Sequence, residues 1–160
     1  MELVGQLTFI DKNPHEGDLM GFVKDSVDNI VTAINAGTYS QTFTAQKNYR
    51  PSHNLESKGL TVQVWPESYD RVMDARDRIQ RSEARINIMV RRGVTIPDGV
   101  NSTADIDDML DLVDEIMSQV LTEVNNLLEI SSEGAYDGGR LYNDSDFAVI
   151  VTAIIRTMTR

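Results

Sequence analysis

From Phe147 to Ile154 the chain reads Phe-Ala-Val-Ile-Val-Thr-Ala-Ile, with one hydroxyl and no charge. Side chains alternate between faces along a strand, so this run offers apolar groups to both sides. A strand of that kind belongs inside a sheet covered on both faces. Its expected extent is Phe147 to Met158, with Val149, Val151, Ala153 and Ile155 on one parity. Ile150 and Ile154 share the other parity with Thr152.

The rest of the chain supplies partners for such a strand. Leu60-Thr61-Val62-Gln63-Val64-Trp65 alternates and is expected to stop at Pro66. Arg85-Ile86-Asn87-Ile88-Met89-Val90-Arg91 alternates too, with Ile86, Ile88 and Val90 inward, and Pro97-Asp98-Gly99 closes that region with a turn. Thr38 to Arg50 is rich in β-branched and aromatic residues and reads as a further strand broken at Pro51-Ser52-His53-Asn54. Three successive strands with no long helix between two of them favour antiparallel pairing.

Two amphipathic helices are expected. The first has Asp18 as a candidate N-cap, apolar residues at Leu19, Val23, Val27, Ile30 and Ile34, and Gly37 as a left-handed stop. The second starts near Asn101-Ser102-Thr103 and runs to about Leu128 on a stripe of Ile106, Met109, Leu110, Val113, Ile116, Met117, Val120, Leu121, Val124, Leu127 and Leu128. Asp105, Asp107 and Asp108 are expected in its first turn, where the helix dipole favours negative charge. The predicted class is α+β, two amphipathic helices packed on a mainly antiparallel sheet. Residues 1–17 read as a strand-like arm (Leu3, Gly5, Leu7, Phe9) followed by a loop, and residues 18–160 as a single domain.

A chain of 160 residues has the size of one ordinary domain. It has no Cys, hence no disulfide framework, thiolate nucleophile or Cys-based metal site. The N-terminus lacks the features of a signal peptide, and no apolar run is long enough for a membrane span. A net charge of −10 argues against general nucleic-acid binding.

The motifs of chemistry are missing from the sequence. His15 and His53 sit in turn-like segments without a partner motif, and no phosphate loop, zinc motif, nucleophile elbow or dinucleotide fingerprint occurs. Asp105-Ile106-Asp107-Asp108 resembles the start of a calcium loop, but Leu110 and Ile116 stand where Gly and Glu are needed. No catalytic residue, metal ligand or cofactor is assigned, and a structural role is expected in place of an enzymatic one.

Three constellations point to contacts. The second helix carries acids, among them Asp107, Asp111 and Asp114, and no Lys or Arg between Thr103 and Leu128. Such a face is either a solvated surface or one that meets a basic partner. The connection expected between Glu67 and Glu83 is rich in arginine, with Arg71, Arg76, Arg78 and Arg81, and Arg85 follows it. Long connections in compact domains often serve contact. At the end of the last strand, Arg156, Met158 and Arg160 are candidates for an intersubunit edge, with Thr157-Met158-Thr159-Arg160 expected outside the core. One basic and one acidic side suit head-to-tail association into a ring.

The element order resembles that of the tail-terminator (tail-completion) proteins of tailed bacteriophages. The matching pieces are the helix from Asp18, Thr42 to Arg50, Leu60–Pro66, the Arg-rich connection, Ile86–Val90, the Ile106–Leu128 helix and the strand from Phe147. The resemblance implies a virion component assembled in the bacterial cytoplasm, a subunit of a hexameric ring that caps the tail tube. Its implied partners are copies of itself, the tube protein, a neck or head-completion protein, and a sheath protein if the tail contracts. Genome DNA would pass through without specific binding, and no membrane is involved. The competing readings are a neck stopper or adaptor between portal and tail, an acidic protein-binding module, and an enzyme with a dispersed carboxylate site.

Overall fold

In the computed structural model, residues 17–49, 59–74, 79–94, 103–134 and 136–159 are described. The elements in chain order are α1 (Gly17–Ala36), β1 (Ala45–Lys47), β2 (Thr61–Asp74), β3 (Ile79–Gly93), α2 (Thr103–Glu123), β4 (Leu127–Ser132), α3 (Gly138–Asp144) and β5 (Asp146–Thr159). The strands form one sheet in the order β1-β2-β3-β5-β4, so the chain is α+β with a mainly antiparallel sheet, as its sequence indicates. β5 lies in the interior of the sheet, where its composition places it.

The core is the layer between this sheet and the two long helices. Val62 and Val64 of β2, Ile86, Ile88 and Val90 of β3, and Val149, Val151 and Ile155 of β5 all belong to it. α1 contributes Val27, Ile30 and Ile34, and α2 contributes Met109, Leu112, Ile116 and Val120. Each fully buried Val, Leu, Ile or Phe contributes about 1.5–3 kcal/mol relative to exposure. The helices therefore cover one parity of the strands, the parity expected for Val149, Val151 and Ile155.

Several expectations are corrected. β2 does not stop at Pro66 but continues to Asp74, with Pro66 opposite Ile86 and a one-residue slip at Glu67. Among the described residues β1 flanks β2 only at Val62–Val64, so the proline's missing donor costs no described bond on the outer side. The Arg-rich stretch is consequently not a long loop. Most of it is the β2–β3 hairpin, in which Asp70 faces Glu83 and Val72 faces Arg81. The strand expected over Thr38–Arg50 shortens to Ala45–Lys47 and pairs in parallel with β2. Ahead of it, Tyr39 and Phe43 lie outside any strand, with their rings 4.8 Å apart and tilted by 42°.

α2 ends at Glu123, short of Leu128. Asn126 takes a left-handed conformation (φ 61°), a turn that Asn tolerates better than most residues, and Leu127 opens β4 alongside β5. Of the three acids expected in the first turn of α2, Asp105 alone lies there. Asp18 is inside α1, which begins at Gly17. Gly37 does not adopt positive φ; a Cβ there would meet the Tyr39 hydroxyl oxygen at 2.5 Å. That hydroxyl donates to the Ile34 carbonyl at 2.7 Å, which also accepts from the Gly37 backbone N–H at 3.2 Å at the end of α1. The segment between Glu133 and Asp146 contains α3, whose N-cap Asp137 accepts from the Arg140 backbone N–H.

β5 continues in register with β3 as far as Thr159 opposite Gln80, so Thr157–Thr159 belong to the sheet. Among the described residues, the two long helices cover one face of the sheet and leave the other to the short segment around α3. Ile150, on the parity away from the long helices, is 40% exposed. The N-terminal arm, the turns at Pro51–Asn54 and Pro97–Gly99, His15, His53, Arg76, Arg78, Asn101, Ser102 and Arg160 lie outside the described residues.

Candidate interaction surface

The sheet has a face that carries no helix of the core layer. Along β2, β3 and β5 it presents the residues that alternate with the core: Gln63, Met89 and Ile150 in one row, and Trp65, Asn87 and Thr152 in the next. Thr152 donates its hydroxyl to the Asn87 side-chain oxygen at 2.9 Å, which pairs two polar groups inside the sheet. Beyond them the rows become charged, with Arg85 beside Ile154, Glu83 beside Arg156, and Arg81 beside Met158.

One half of this face is concave. A cavity of about 330 Å³ opens between Trp65, Met89 and Ile150 of the sheet and Tyr136, Asp137 and Arg140 from the segment around α3. The segment is held there by the Asp137 backbone N–H, which donates to the Ala148 carbonyl at 3.0 Å. Tyr136 also stacks at 5.8 Å on the buried ring of Phe147. Gly134, at φ +146°, makes the turn that brings the chain round from β4, in a conformation that a side chain would strain. Next to the cavity, Arg91 donates its Nε–H to both oxygens of Asp146 at 2.9 and 2.8 Å, and both side chains are buried.

The other half is a charged ladder. Arg156 donates from Nε and a terminal nitrogen to Glu83 Oε2, at 3.1 and 2.7 Å. This hydrogen bond holds the Glu83 carboxyl below its ordinary value, opposed by partial burial and aided by the charges of Arg156, Arg85 and Arg81. Arg81 and Arg85 are exposed, and Val72 and Met158 stand out at 48% and 65% exposure.

The outer side of α2 gives a second surface. Met109, Leu112, Val113 and Ile116 face the core, while Asp107, Asp111 and Asp114 are exposed. A shallow groove of about 560 Å³ runs between α2 and Thr38, along Asp111, Asp114, Glu115 and Ser118. Glu115 accepts from the Ser40 backbone N–H at 2.9 Å and its hydroxyl at 3.1 Å, fixing the connection after α1 against the helix. Burial raises the Tyr39 phenol above its ordinary value, and the charge of Glu115 adds to that. On the far side of α1, Lys47 is bonded to Asp28 at 2.7 Å. Burial opposes the Lys47 charge, yet the bond to Asp28 leaves its amine above the ordinary value.

The residues singled out in the sequence thus divide into two opposite sides. Arg81, Arg85, Arg156 and Met158 share the sheet face turned away from the two long helices, whereas Asp107, Asp111 and Asp114 line the outside of the helix layer. Arg71 belongs to neither. It lies on the helix-side parity of β2, donates to Gln80 at 2.6 Å, and keeps a buried Nε without a partner. The cavity residues Trp65, Met89, Tyr136, Arg140 and Ile150 escaped the sequence reading. For the first two and Ile150 the signal was present, since they alternate with Val64, Val90 and Val149. No protein-family model matches the chain, and no curated protein matches it.

Proposed function

We propose that the chain is a structural subunit that associates head to tail into a closed homo-oligomeric ring, in the manner of a phage tail terminator. The observation that carries this reading is the distribution of charge over two opposite layers. The sheet face turned away from the two long helices bears exposed Arg81 and Arg85, offset in part by exposed Asp70 on the same face, with exposed Val72, Ile150 and Met158, and the outer face of α2 bears acids with no basic residue. Surfaces of opposite sign on opposite sides complement a neighbouring copy, not themselves, which is the condition for a heterologous contact that closes into a ring. The apolar residues among the arginines supply what surface ion pairs lack, because an exposed pair contributes only about 0–1 kcal/mol. The order of elements, similar to that of tail terminators, supports the hexameric ring at the head end of a tail tube.

Analytical ultracentrifugation with charge reversal tests this. Arg81→Glu with Arg85→Glu should dissociate the ring, as should Asp111→Lys with Asp114→Lys. A mixture of the two double variants should associate pairwise, because each then presents one unaltered face that its partner complements. A parent chain that stays monomeric at every concentration would defeat the ring. It would move weight to the second reading, an acidic module whose α2 face binds a basic partner.

A further inference from the structure

The outer side of α2 carries a single ridge. Asp107, Asp111, Asp114, Ser118 and Leu121 recur at steps of three and four, so they share one side of the helix, and all five are exposed. The first four are polar. Leu121 ends the ridge as a large apolar side chain, 64% exposed. One exposed leucine is ordinary on a protein surface. What gives this one meaning is its spacing from the acids, because the sheet face turned away from the long helices repeats the same pattern in complementary form. There an apolar cavity walled by Trp65, Met89 and Ile150 is followed along β3 by exposed Arg85 and Arg81.

We propose, resting on the reading of the chain as a ring subunit, that Leu121 of one copy enters the cavity of the next, with α2 laid along β3 and its acidic ridge on Arg85 and Arg81. Two lengths set this register. At about 1.5 Å per helical residue, Asp114, Asp111 and Asp107 precede Leu121 by about 10, 15 and 21 Å. At about 3.3 Å per strand residue, Arg85 and Arg81 lie about 13 and 26 Å from Met89. With Leu121 over Met89, Arg85 falls between Asp114 and Asp111, and the long Arg81 side chain closes the remaining gap to Asp107. Ala104, about 26 Å before Leu121, comes to the row of Val72, Arg81 and Met158, where a small residue leaves room for two exposed apolar side chains.

The opposite direction of the helix fails on chemistry. It would set Asp107 against the apolar walls of the cavity, beside Glu133 and Asp137 of its lining, where an acid loses water and meets like charge. It would also carry Leu121 out to the charged end of the ladder. In the proposed direction the acids meet arginines and the leucine meets the recess. Glu83, on the same face, is held by Arg156 at 2.7 Å, and exposed Asp70 offsets part of the charge of Arg81 and Arg85. The ion pairs therefore fix direction and register, and the apolar contact at the cavity supplies most of the affinity.

The chain has one tryptophan and no cysteine, which makes two readouts clean. Leu121→Cys with Ile150→Cys in one chain should link successive copies into a ladder under mild oxidation, since the two positions lie on opposite layers and cannot close within a copy. Neither change alone should do so, nor should Asp107→Cys with Ile150→Cys, which reports the reversed direction. Trp65 emission should move to shorter wavelength as the ring forms. Leu121→Asp, at a side chain already mostly in water in the monomer, should weaken association at least about tenfold and abolish that shift. Leu128→Asp, equally exposed in kind but off the ridge, should do neither. Sedimentation of the same samples separates this register from the ring itself. A ring that forms with Leu121→Asp as it does in the parent, or one that links Asp107→Cys to Ile150→Cys, would overturn the register and leave the ring standing. An emission shift that survives Leu121→Asp would give the cavity to another occupant and overturn it as well. A parent chain that sediments as a monomer at every concentration would overturn both.

Discussion

Val151 tests the architecture most directly, because it is fully buried where the interior strand meets the helix layer. Val151→Asp removes an apolar side chain whose burial is worth about 1.5–2 kcal/mol. It also puts a carboxyl in a fully buried position whose partners across the sheet are Ile88 of β3 and Ser132 of β4, neither of them a cation. Such a group takes up a proton instead, and from an ordinary value near 3.9 that costs about 4 kcal/mol at pH 7, at 1.36 kcal/mol per unit. The sum, about 6 kcal/mol, falls within the total stability of an ordinary domain, roughly 5–15 kcal/mol. The sign follows from proton binding. The unfolded state releases the proton above pH ~3.9 while the folded state keeps it, so the penalty grows with pH and vanishes below ~3.9. Urea denaturation followed by circular dichroism at pH 4 and pH 7 reads this out. The variant's midpoint should approach that of the parent at pH 4 and fall far below it at pH 7. Val151→Thr, nearly isosteric and uncharged, should show no such pH dependence. A variant with the parent's midpoint at pH 7 would put this parity of β5 in solvent and refute the packing described here.

Three further outcomes are expected. Asp146→Ala should cost about 3–5 kcal/mol by leaving the buried Arg91 without its carboxylate, and Arg91→Met in the same chain should recover most of it, as urea midpoints of the cycle will reveal. Gly37→Ala should lower stability by about 1–2 kcal/mol by displacing the Tyr39 hydroxyl from the Ile34 carbonyl, with a smaller loss in a Tyr39→Leu background. Because Arg156 holds Glu83 below its ordinary value of 4.5, the pair's contribution is present above that pH and lost as pH falls through the lowered value. In an NMR titration of the Glu83 carboxyl, Arg156→Met should raise its midpoint, and an unmoved midpoint would detach Arg156 from the shift.

The parts of the fold legible in the sequence are those where one strong period runs unbroken. α1 has Val27, Ile30 and Ile34 at helical spacing, and β3 has Ile86, Ile88 and Val90 at period two, and both lie where those patterns put them. What was misread depended on neighbours. Pro66 ends a strand only if the strand is flanked on both sides, and the partner β1 is too short to matter there. The polar hairpin beyond it, Asp70 to Arg85, has no apolar alternation because its outer half extends past the core, so charge disguised a strand as a loop. Leu127 and Leu128 kept the helical spacing of α2 in phase, and only the left-handed turn at Asn126, a local backbone event, transfers them to β4.

The candidate surface was half visible for a similar cause. Its charged half could be found from composition, since a run of arginines with interleaved acids marks an exposed surface. Its concave half could not, because the cavity exists only where the chain around α3 returns to the sheet beside Ala148, and no period in Glu133–Asp146 announces that return. Trp65 illustrates the consequence. On the strand it is merely the residue opposite in parity to Val64, and beside Met89, Ile150 and Tyr136 it becomes the wall of a cavity on a sheet face that the long helices leave bare. An aromatic side chain of that size in a half-enclosed apolar recess, next to a charged ladder, has the make-up of an interface centre with a polar rim. Trp65→Ala should therefore weaken assembly more than any single charge reversal on the ladder, and it should do so without the salt dependence expected of Arg81→Glu. Sedimentation of both variants at low and high ionic strength separates the two contributions. A Trp65→Ala ring as stable as the parent's would leave the charges to carry the contact and would take the cavity out of the interface.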